Sequence, residues 1–376
     1  MNTGISVDGM EWLSQAAPAI EIEIEQAALE HQNNLTKPPG SLGLLEEIAI
    51  RLCGLQNTLA PRADNVFIAV FAGDHGVADE GVSAFPQAVT AEMVKNFANG
   101  GAAISVLAKQ LSAQFAVINM GTVSPLDKIA GVQQSIIAPS TANFCQTEAM
   151  SQLQLDIALN VGKQVIDDIA FNDTDSLDTA NNIDLFIGGD MGIANTTAAS
   201  AIICALTGIA PHSIVGPGTG VDEKGVQHKA EVVARALALH KEALHKDKLH
   251  KDEQPSPISV LRCLGGFEIA ALAGSYIRSA QRGIPVLVDG FITTAAALVA
   301  MHINPSIKPW LLLSHQSAEP GHKIVLEQFQ GKPIVQLNMR LGEASGAATV
   351  VPLIRFACAL HNGMASFASA GVSKEL

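Results

Sequence analysis

Short apolar runs that stop at glycine or a small polar residue recur along this chain, and longer Ala-rich segments separate them. Asn65-Val66-Phe67-Ile68-Ala69-Val70-Phe71 stops at Ala72-Gly73-Asp74-His75-Gly76, and Phe115-Ala116-Val117-Ile118 stops at Asn119-Met120-Gly121. Asp184-Leu185-Phe186-Ile187 stops at Gly188-Gly189-Asp190, Ile284-Pro285-Val286-Leu287-Val288 at Asp289-Gly290, and Trp310-Leu311-Leu312-Leu313 at Ser314-His315. A sixth run, Pro333-Ile334-Val335-Gln336-Leu337, leads towards Arg340-Leu341-Gly342-Glu343. Runs that are apolar at nearly every position suit strands buried on both faces, and the segments between them suit the crossover helices of a parallel sheet. The pattern predicts an α/β fold with a parallel sheet flanked by helices. Ligands of such sheets bind beyond the carboxyl ends of the strands. All of these glycine-rich turns fall at that end, so one convergent site is expected.

Two stretches depart from the alternation. Residues 9–60 read as helices, broken at Gly40 after Lys37-Pro38-Pro39, with Ser41 as the expected cap of a helix starting near Leu42. Residues 240–256 carry a loose five-residue repeat ending in Gln254-Pro255-Ser256-Pro257. Its histidines at 240, 245 and 250 fall on different helix faces, so the stretch reads as a solvated helix and linker rather than a metal site.

Composition narrows the classes of function. The 376 residues are 48% hydrophobic and 16% charged, enough to bury a sizeable core in one large α/β unit with an appendage. Aromatic residues make up only 4%, and 36 acidic against 23 basic residues leave a net charge of −13. That balance disfavours nucleic acid and anionic membrane surfaces as partners. An anionic small molecule then has to be held by local backbone N–H groups and a few cations. The five cysteines form no CxxC pair and sit mostly in apolar runs, which suits reduced thiols and a cytoplasmic location. The N-terminus shows no signal-peptide pattern, and no apolar window is long enough to predict a membrane span.

Five constellations carry candidate chemistry. Gly188-Gly189-Asp190-Met191-Gly192-Ile193-Ala194-Asn195-Thr196-Thr197 joins a strand to an Ala-rich helix, and its N–H groups and hydroxyls suit a phosphate or carboxylate. Three glycines, an Asn and two threonines exceed what an ordinary helix cap needs. Val215-Gly216-Pro217-Gly218-Thr219-Gly220 offers further unobstructed donors, and Lys229 on the helix behind it is a candidate charge for a phosphate. This GxGxG stretch follows no full-length strand, so it is a weak dinucleotide fingerprint. Ser314-His315-Gln316-Ser317-Ala318-Glu319-Pro320-Gly321-His322 invites a metal reading, but Pro320 and Gly321 break the helix a zincin needs, and a polar ligand-binding turn is favoured. In Arg340-Leu341-Gly342-Glu343-Ala344 the carboxylate has apolar neighbours, and desolvation raises its pKa towards neutrality, where it serves as a general base. Glu319, among Ser, Gln and His, is expected to stay a more ordinary carboxylate. Finally, the mixed stretch from Gly81 to Met93 suits the wall of a flat pocket for an aromatic ligand.

Taken together these motifs resemble the nicotinate-nucleotide–dimethylbenzimidazole phosphoribosyltransferases, which assemble the lower ligand of cobamides. The resemblance runs from Thr36-Lys37-Pro38-Pro39-Gly40-Ser41-Leu42-Gly43 to Cys358-Ala359-Leu360-His361-Asn362-Gly363-Met364, nearly the whole chain. It rests most on Ala72-Gly73-Asp74-His75-Gly76-Val77, Met191–Thr197, Gly218-Thr219-Gly220 and Met339-Arg340-Leu341-Gly342-Glu343. It implies a large Rossmann-like domain over 61–348 and a small helical domain from 1–60 and 349–376. It also implies a homodimer without metal or cofactor. By the same resemblance the phosphate of nicotinate mononucleotide meets Gly218, Thr219, Gly220, Lys229, Gly290 and Ser317. The base lies near Ser83, Phe85, Glu92, Met191 and Leu341. Asp190, Gly192, Asn195, Thr196 and Glu319 complete the substrate site, and Glu343 matches the catalytic glutamate. Asp190, Ala194 and Pro217 depart from the family's usual Glu, Gly and Arg, and Glu92 stands where Gln is common. From the residues alone two other readings stay open, a nicotinamide-dependent oxidoreductase built on Gly216–Gly220 and a non-catalytic nucleotide-binding protein.

Overall fold

The computed structural model describes residues 9–171, 183–245 and 255–373. Two helices, α1 (Ile22–Asn34) and α2 (Leu44–Gln56), precede strand β1 (Val66–Gly73). Helices α3 (Ala88–Ala98) and α4 (Ala103–Leu111) lead to β2 (Gln114–Gly121), which β3 (Val132–Gln134) follows directly. The long helix α5 (Gln152–Phe171) precedes β4 (Leu185–Met191). Then come α6 (Asn195–Thr207), α7 (Pro211–Ile214), α8 (Glu223–Leu239), α9 (Lys241–Leu244), α10 (Pro257–Leu264) and α11 (Phe267–Gln281). Strand β5 (Val286–Val288), α12 (Phe291–Ile303) and β6 (Leu311–Leu313) complete the sheet. The chain ends through α13 (Pro320–Leu326), α14 (Ser345–Gly363) and α15 (Phe367–Ala370).

The sheet has the order β3-β2-β1-β4-β5-β6, and its pairings are parallel. Every residue of β1 is buried, as a central strand with helices on both faces requires. From β1 the chain moves outward to β2 and β3, then crosses back to β4 on the other side of β1. That reversal opens a crevice at the carboxyl ends of β1 and β4. The register sets Phe71 beside Asp190 and Ala72 beside Met191 at its mouth.

Two local expectations are corrected, and one strand had no signal in the sequence. The run at 333–337 forms only an isolated bridge, Val335 with His315, because Pro333 has no N–H to give and the neighbouring β6 is three residues long. Strand β3 carries Val-Gln-Gln, too short and polar to signal itself. Strand β4 does not stop at Ile187 but runs through Gly188 and Gly189 to Met191.

The chain ends meet. Helix α2 packs on α1 and α14, Leu35 bridges Ser366, and Thr36 N donates to Ala365 O. Helix α14 runs unbroken through 348–349, so the expected domain boundary falls inside one helix. Ser41 does not cap α2. The Glu46 carboxylate instead accepts from Leu42 N at 2.9 Å and Gly40 N at 3.3 Å, and pairs with Lys37 at 2.8 Å. Of the Lys/His-rich stretch, residues 246–254 lie outside the described residues. No helix among the described residues is long and apolar enough to cross a membrane.

Candidate active site

A cavity of about 330 Å³ opens beyond the carboxyl ends of the strands. The end of β4 contributes Asp190, Met191, Gly192 and Ile193, and α6 adds Asn195 and Thr196. Gly218 and Thr219 come from the loop after α7, Gly290 and Ile292 from the end of β5 and the start of α12. His315, Ser317 and Glu319 follow β6, and Arg340 to Glu343 close the remaining side. Segments far apart in sequence thus share one wall.

One half of the cavity gathers a glycine loop and, behind it, a buried lysine. Lys229 is 1% exposed and lies behind the glycine loop rather than on the cavity surface. Its Nζ donates to Thr196 Oγ1 at 3.0 Å and Gly216 O at 3.2 Å. Burial pushes its pKa down to about 8, against the pull of Glu319. Gly218 N donates to Glu319 Oε1 at 3.1 Å, while Glu319 Oε2 is buried without a hydrogen-bond partner. Glu319 is therefore not an ordinary carboxylate. Burial raises its pKa, although Lys229 and the Gly218 N–H act in the opposite direction. Gly220 is exposed, lies outside the cavity and spends its N–H on Pro217 O, because the loop closes there as a tight turn.

The other side holds Glu343. Gly342, Glu343 and Ala344 take φ values of 83°, 63° and 70°, three successive left-handed residues. Two of the three carry a Cβ, and this conformation costs each of them about 1–2 kcal/mol. The turn is held against β4 because Gly189 has no side chain. A Cβ there would stand 2.8 Å from the Glu343 carbonyl carbon and 2.9 Å from Ala344 N. Ser345 Oγ donates to Gly342 O at 2.7 Å and closes the turn. Beneath it, buried Asp289 accepts from Ala347 N at 2.6 Å, and its Oδ1 stands 3.7 Å from His315 Nε2. Burial, and then the charge of Asp289, push the Glu343 carboxyl up to about 7. Asp190 is pushed up as well, by burial first and by Asp289 and Glu268 next, while Asn195 Nδ2 donates to its Oδ2 at 2.8 Å.

The third wall is apolar. Val89 and Met93, one turn apart on α3, face Met191, Ile193 and Ile292. Phe85 and Leu341 stand at the mouth, 53% and 57% exposed, leaving apolar surface for a flat ligand to cover. Ser83 is not on the cavity surface; its Oγ lies 3.2 Å from Thr219 Oγ1, and Ala84 N donates to the same hydroxyl at 3.1 Å. Glu92 is exposed and does not line the cavity, because on α3 its position turns to solvent while 89 and 93 turn inward. His322 uses both ring nitrogens in the protein. It accepts from Ser317 N at Nδ1 (2.8 Å) and donates from Nε2 to Thr294 Oγ1 (2.9 Å). Burial pushes its pKa down to about 3, as this neutral, doubly bonded ring requires.

Comparison with known proteins gives the family. A family model described as Phosphoribosyltransferase matches residues 17–372. The nicotinate-nucleotide–dimethylbenzimidazole phosphoribosyltransferase of Xanthomonas euvesicatoria pv. vesicatoria is 53% identical over 365 residues, 96% of this chain and 99% of that protein. The chain belongs to the nicotinate-nucleotide–dimethylbenzimidazole phosphoribosyltransferase family. The protein of the same name from Pseudomonas syringae pv. syringae is 52% identical over 96% of this chain and 98% of its own length. The crystal structure of CobT from Thermus thermophilus superposes with a TM-score of 0.85 at 39% identity, over 94% of this chain and all of that one.

Membership in this phosphoribosyltransferase family sets aside the oxidoreductase and the non-catalytic readings. The geometry agrees, since Gly216–Gly220 joins α7 to α8 and not β1 to its helix, where a dinucleotide fingerprint sits. Val89, Met93, Ile193 and His315 fall inside stretches the sequence marks as ligand-binding, but none was named there as an individual site residue, and Ile292 lies outside those stretches. A helical reading of 88–98 would have paired Val89 with Met93 as i and i+4. Nothing in sequence pairs His315 with Asp289.

Proposed function

We propose that this phosphoribosyltransferase moves the 5-phosphoribosyl group of nicotinate mononucleotide to 5,6-dimethylbenzimidazole with inversion, giving α-ribazole 5′-phosphate and nicotinate. The observation that carries this reading is Glu343. Its carboxyl, pushed up to about 7, stands in one cavity with an anion-binding loop and an apolar wall. The phosphate lies towards Gly218, Thr219, Gly290 and Ser317 with Lys229 behind, and the aromatic base lies between Met191, Phe85 and Leu341. Asp190, Gly192, Asn195, Thr196 and Glu319 hold the nucleotide between them.

The reaction needs little more than these parts. The bond from ribose C1′ to the pyridinium nitrogen breaks, and its electron pair returns to that nitrogen, so no general acid is required. C1′ gains oxocarbenium character, as in glycoside cleavage. A benzimidazole nitrogen bonds to C1′ from the opposite face. The other ring nitrogen then gives its proton to the Glu343 carboxylate. Alignment of the two substrates supplies much of the acceleration, and general-base help adds ~10²–10⁴-fold. The apolar wall limits water, which would otherwise hydrolyse the nucleotide.

The same reading places the enzyme in the cytoplasm as a homodimer that acts on small molecules alone. Free cysteines suit a reducing compartment, and the exposed Val106 and Phe356 side chains give apolar surface for a second copy. Sedimentation tests the dimer. The central test is nicotinate release, expected only when both the nucleotide and a benzimidazole are supplied; release that does not depend on the base refutes the transfer.

A further inference from the structure

The Gly73-Asp74-His75-Gly76 turn is among the most distinctive pieces of the chain, yet none of it lines the cavity. Asp74 is completely buried, and each of its polar groups is used within the protein. Its N–H donates to Gly121 O and its carbonyl accepts from Thr141 N. Its Oδ2 accepts from Val123 N at 2.9 Å, and its Oδ1 accepts from Thr90 Oγ1 at 2.6 Å. The Thr90 hydroxyl, also fully buried, accepts in turn from Ile193 N at 3.1 Å. A backbone N–H can only donate, so the direction is fixed: Ile193 N–H to Thr90 O–H to the Asp74 carboxylate. Such a chain polarises its members, and its charged end makes the last bond strong.

Two members of this relay, Thr90 and Ile193, belong to two walls of the apolar half of the cavity. Thr90 sits on α3 beside Val89 and three residues before Met93, and Ile193 itself lines the cavity. The two walls are not held alike. The 190–196 turn is secured separately, by Asn195 on Asp190 and by Lys229 on Thr196. Helix α3 has one further tie to the Asp74-His75 turn, Gln87 Nε2 donating to His75 O at 2.9 Å. Without the Thr90 hydroxyl, the start of α3 keeps this Gln87 bond and the core packing of Ala91, Val94 and Phe97, while the Val89–Met93 face loses its hydrogen-bonded link to the Met191–Ile193 turn.

We infer that Thr90 is a positioning residue for the aromatic base, which fixes the Val89–Met93 wall against the Met191–Ile193 turn through the buried Asp74 carboxylate. The inference rests on the phosphoribosyl-transfer reading and adds a determinant of base affinity that touches no substrate. It predicts a split between the two substrates.

The test uses the full chain, with nicotinate release as the assay and calorimetry for nicotinate mononucleotide. Thr90→Val keeps the shape and removes the hydroxyl, and is expected to raise the KM for 5,6-dimethylbenzimidazole about tenfold, the usual scale for losing a hydrogen bond to a buried charge. The Kd for the nucleotide should stay within about twofold, since its contacts lie on the separately held turn. Thr90→Ser restores the hydroxyl and should bring the base KM back near its original value. Thr90→Ala removes the same hydroxyl and reads the same way if Thr90→Val does not fold. An unchanged base KM, an equal loss for both substrates, or no rescue by Thr90→Ser overturns the inference alone. No base-dependent nicotinate release from the unaltered chain overturns the transfer reading and this inference with it.

Discussion

Glu343 and Glu319 stand in the same cavity, each 6% exposed, yet their surroundings give them different chemistry. The Glu343 turn faces like charge: Asp289 lies beneath it, and its carboxyl is pushed up to about 7. The Glu319 turn faces Lys229 and the N–H of Gly218, which favour the ionised form against the cost of burial. Burial alone therefore does not distinguish a base from an organiser of an anion site. The sign of the nearest charge does.

The largest expected effect tests the first half of that contrast. Glu343→Gln should lower kcat by about 10²–10⁴-fold while the fold survives, read as nicotinate release at saturating substrates. A kcat within about threefold of the original would remove Glu343 as the base. Glu319→Gln should act on the other substrate. Lys229, already pushed down to about 8, loses the neighbour that supports its charge, so the nucleotide KM should rise about tenfold with a smaller change in kcat. An unchanged nucleotide KM would mean that the carboxylate does not organise this loop.

Stability should move in opposite directions in the two variants. The folded pKa of Glu343, about 7, lies above its ordinary 4.5. Its contribution to stability is thus full below pH 4.5 and lost as the pH rises through 7. At about pH 8 the charged side chain costs on the order of 1–3 kcal/mol, so Glu343→Gln should raise Tm there and lose that advantage below about pH 4.5. Glu319→Gln should lower Tm, most clearly at about pH 6, where Lys229, pushed down only to about 8, is still charged and loses its buried partner. Equal shifts in thermal melts would collapse the comparison. The smallest effect concerns tuning. Asp289→Asn removes the like charge beneath Glu343, so the acidic limb of the kcat–pH profile, expected near about pH 7, should move down by about half a unit to one unit. A limb that stays in place would assign the raised pKa to burial alone.

Parts of this molecule were open to reading from the chain and parts were not. The β1 run Val66–Phe71 announces a buried central strand because every position must be apolar when both faces are covered. Glu343 was legible as a raised carboxyl because its own neighbours in sequence desolvate it. Glu319 was not, since it sits in a stretch rich in Ser, Gln and His, and its burial comes with the glycine loop and Lys229 of α8 closing on it. Glu92 and Met93 are adjacent, and only the rotation of α3 sends one to solvent and the other into the cavity. Ser41 looked like a helix cap, but Glu46 reaches the same backbone donors from within the helix.

By itself, then, the order of apolar runs and glycines determined a parallel α/β sheet, the end of it where the cavity opens, and the residues proposed here as base and anion loop. These are local or periodic properties, settled by which side chains tolerate burial on two faces and which backbones need glycine. The tertiary structure decided the rest. It placed Asp289 under Glu343, put Lys229 behind Thr196 and Gly216, and left Glu343 held in a left-handed turn against Gly189. Electrostatics and close packing act through space, and strand order, not sequence distance, brings those partners together.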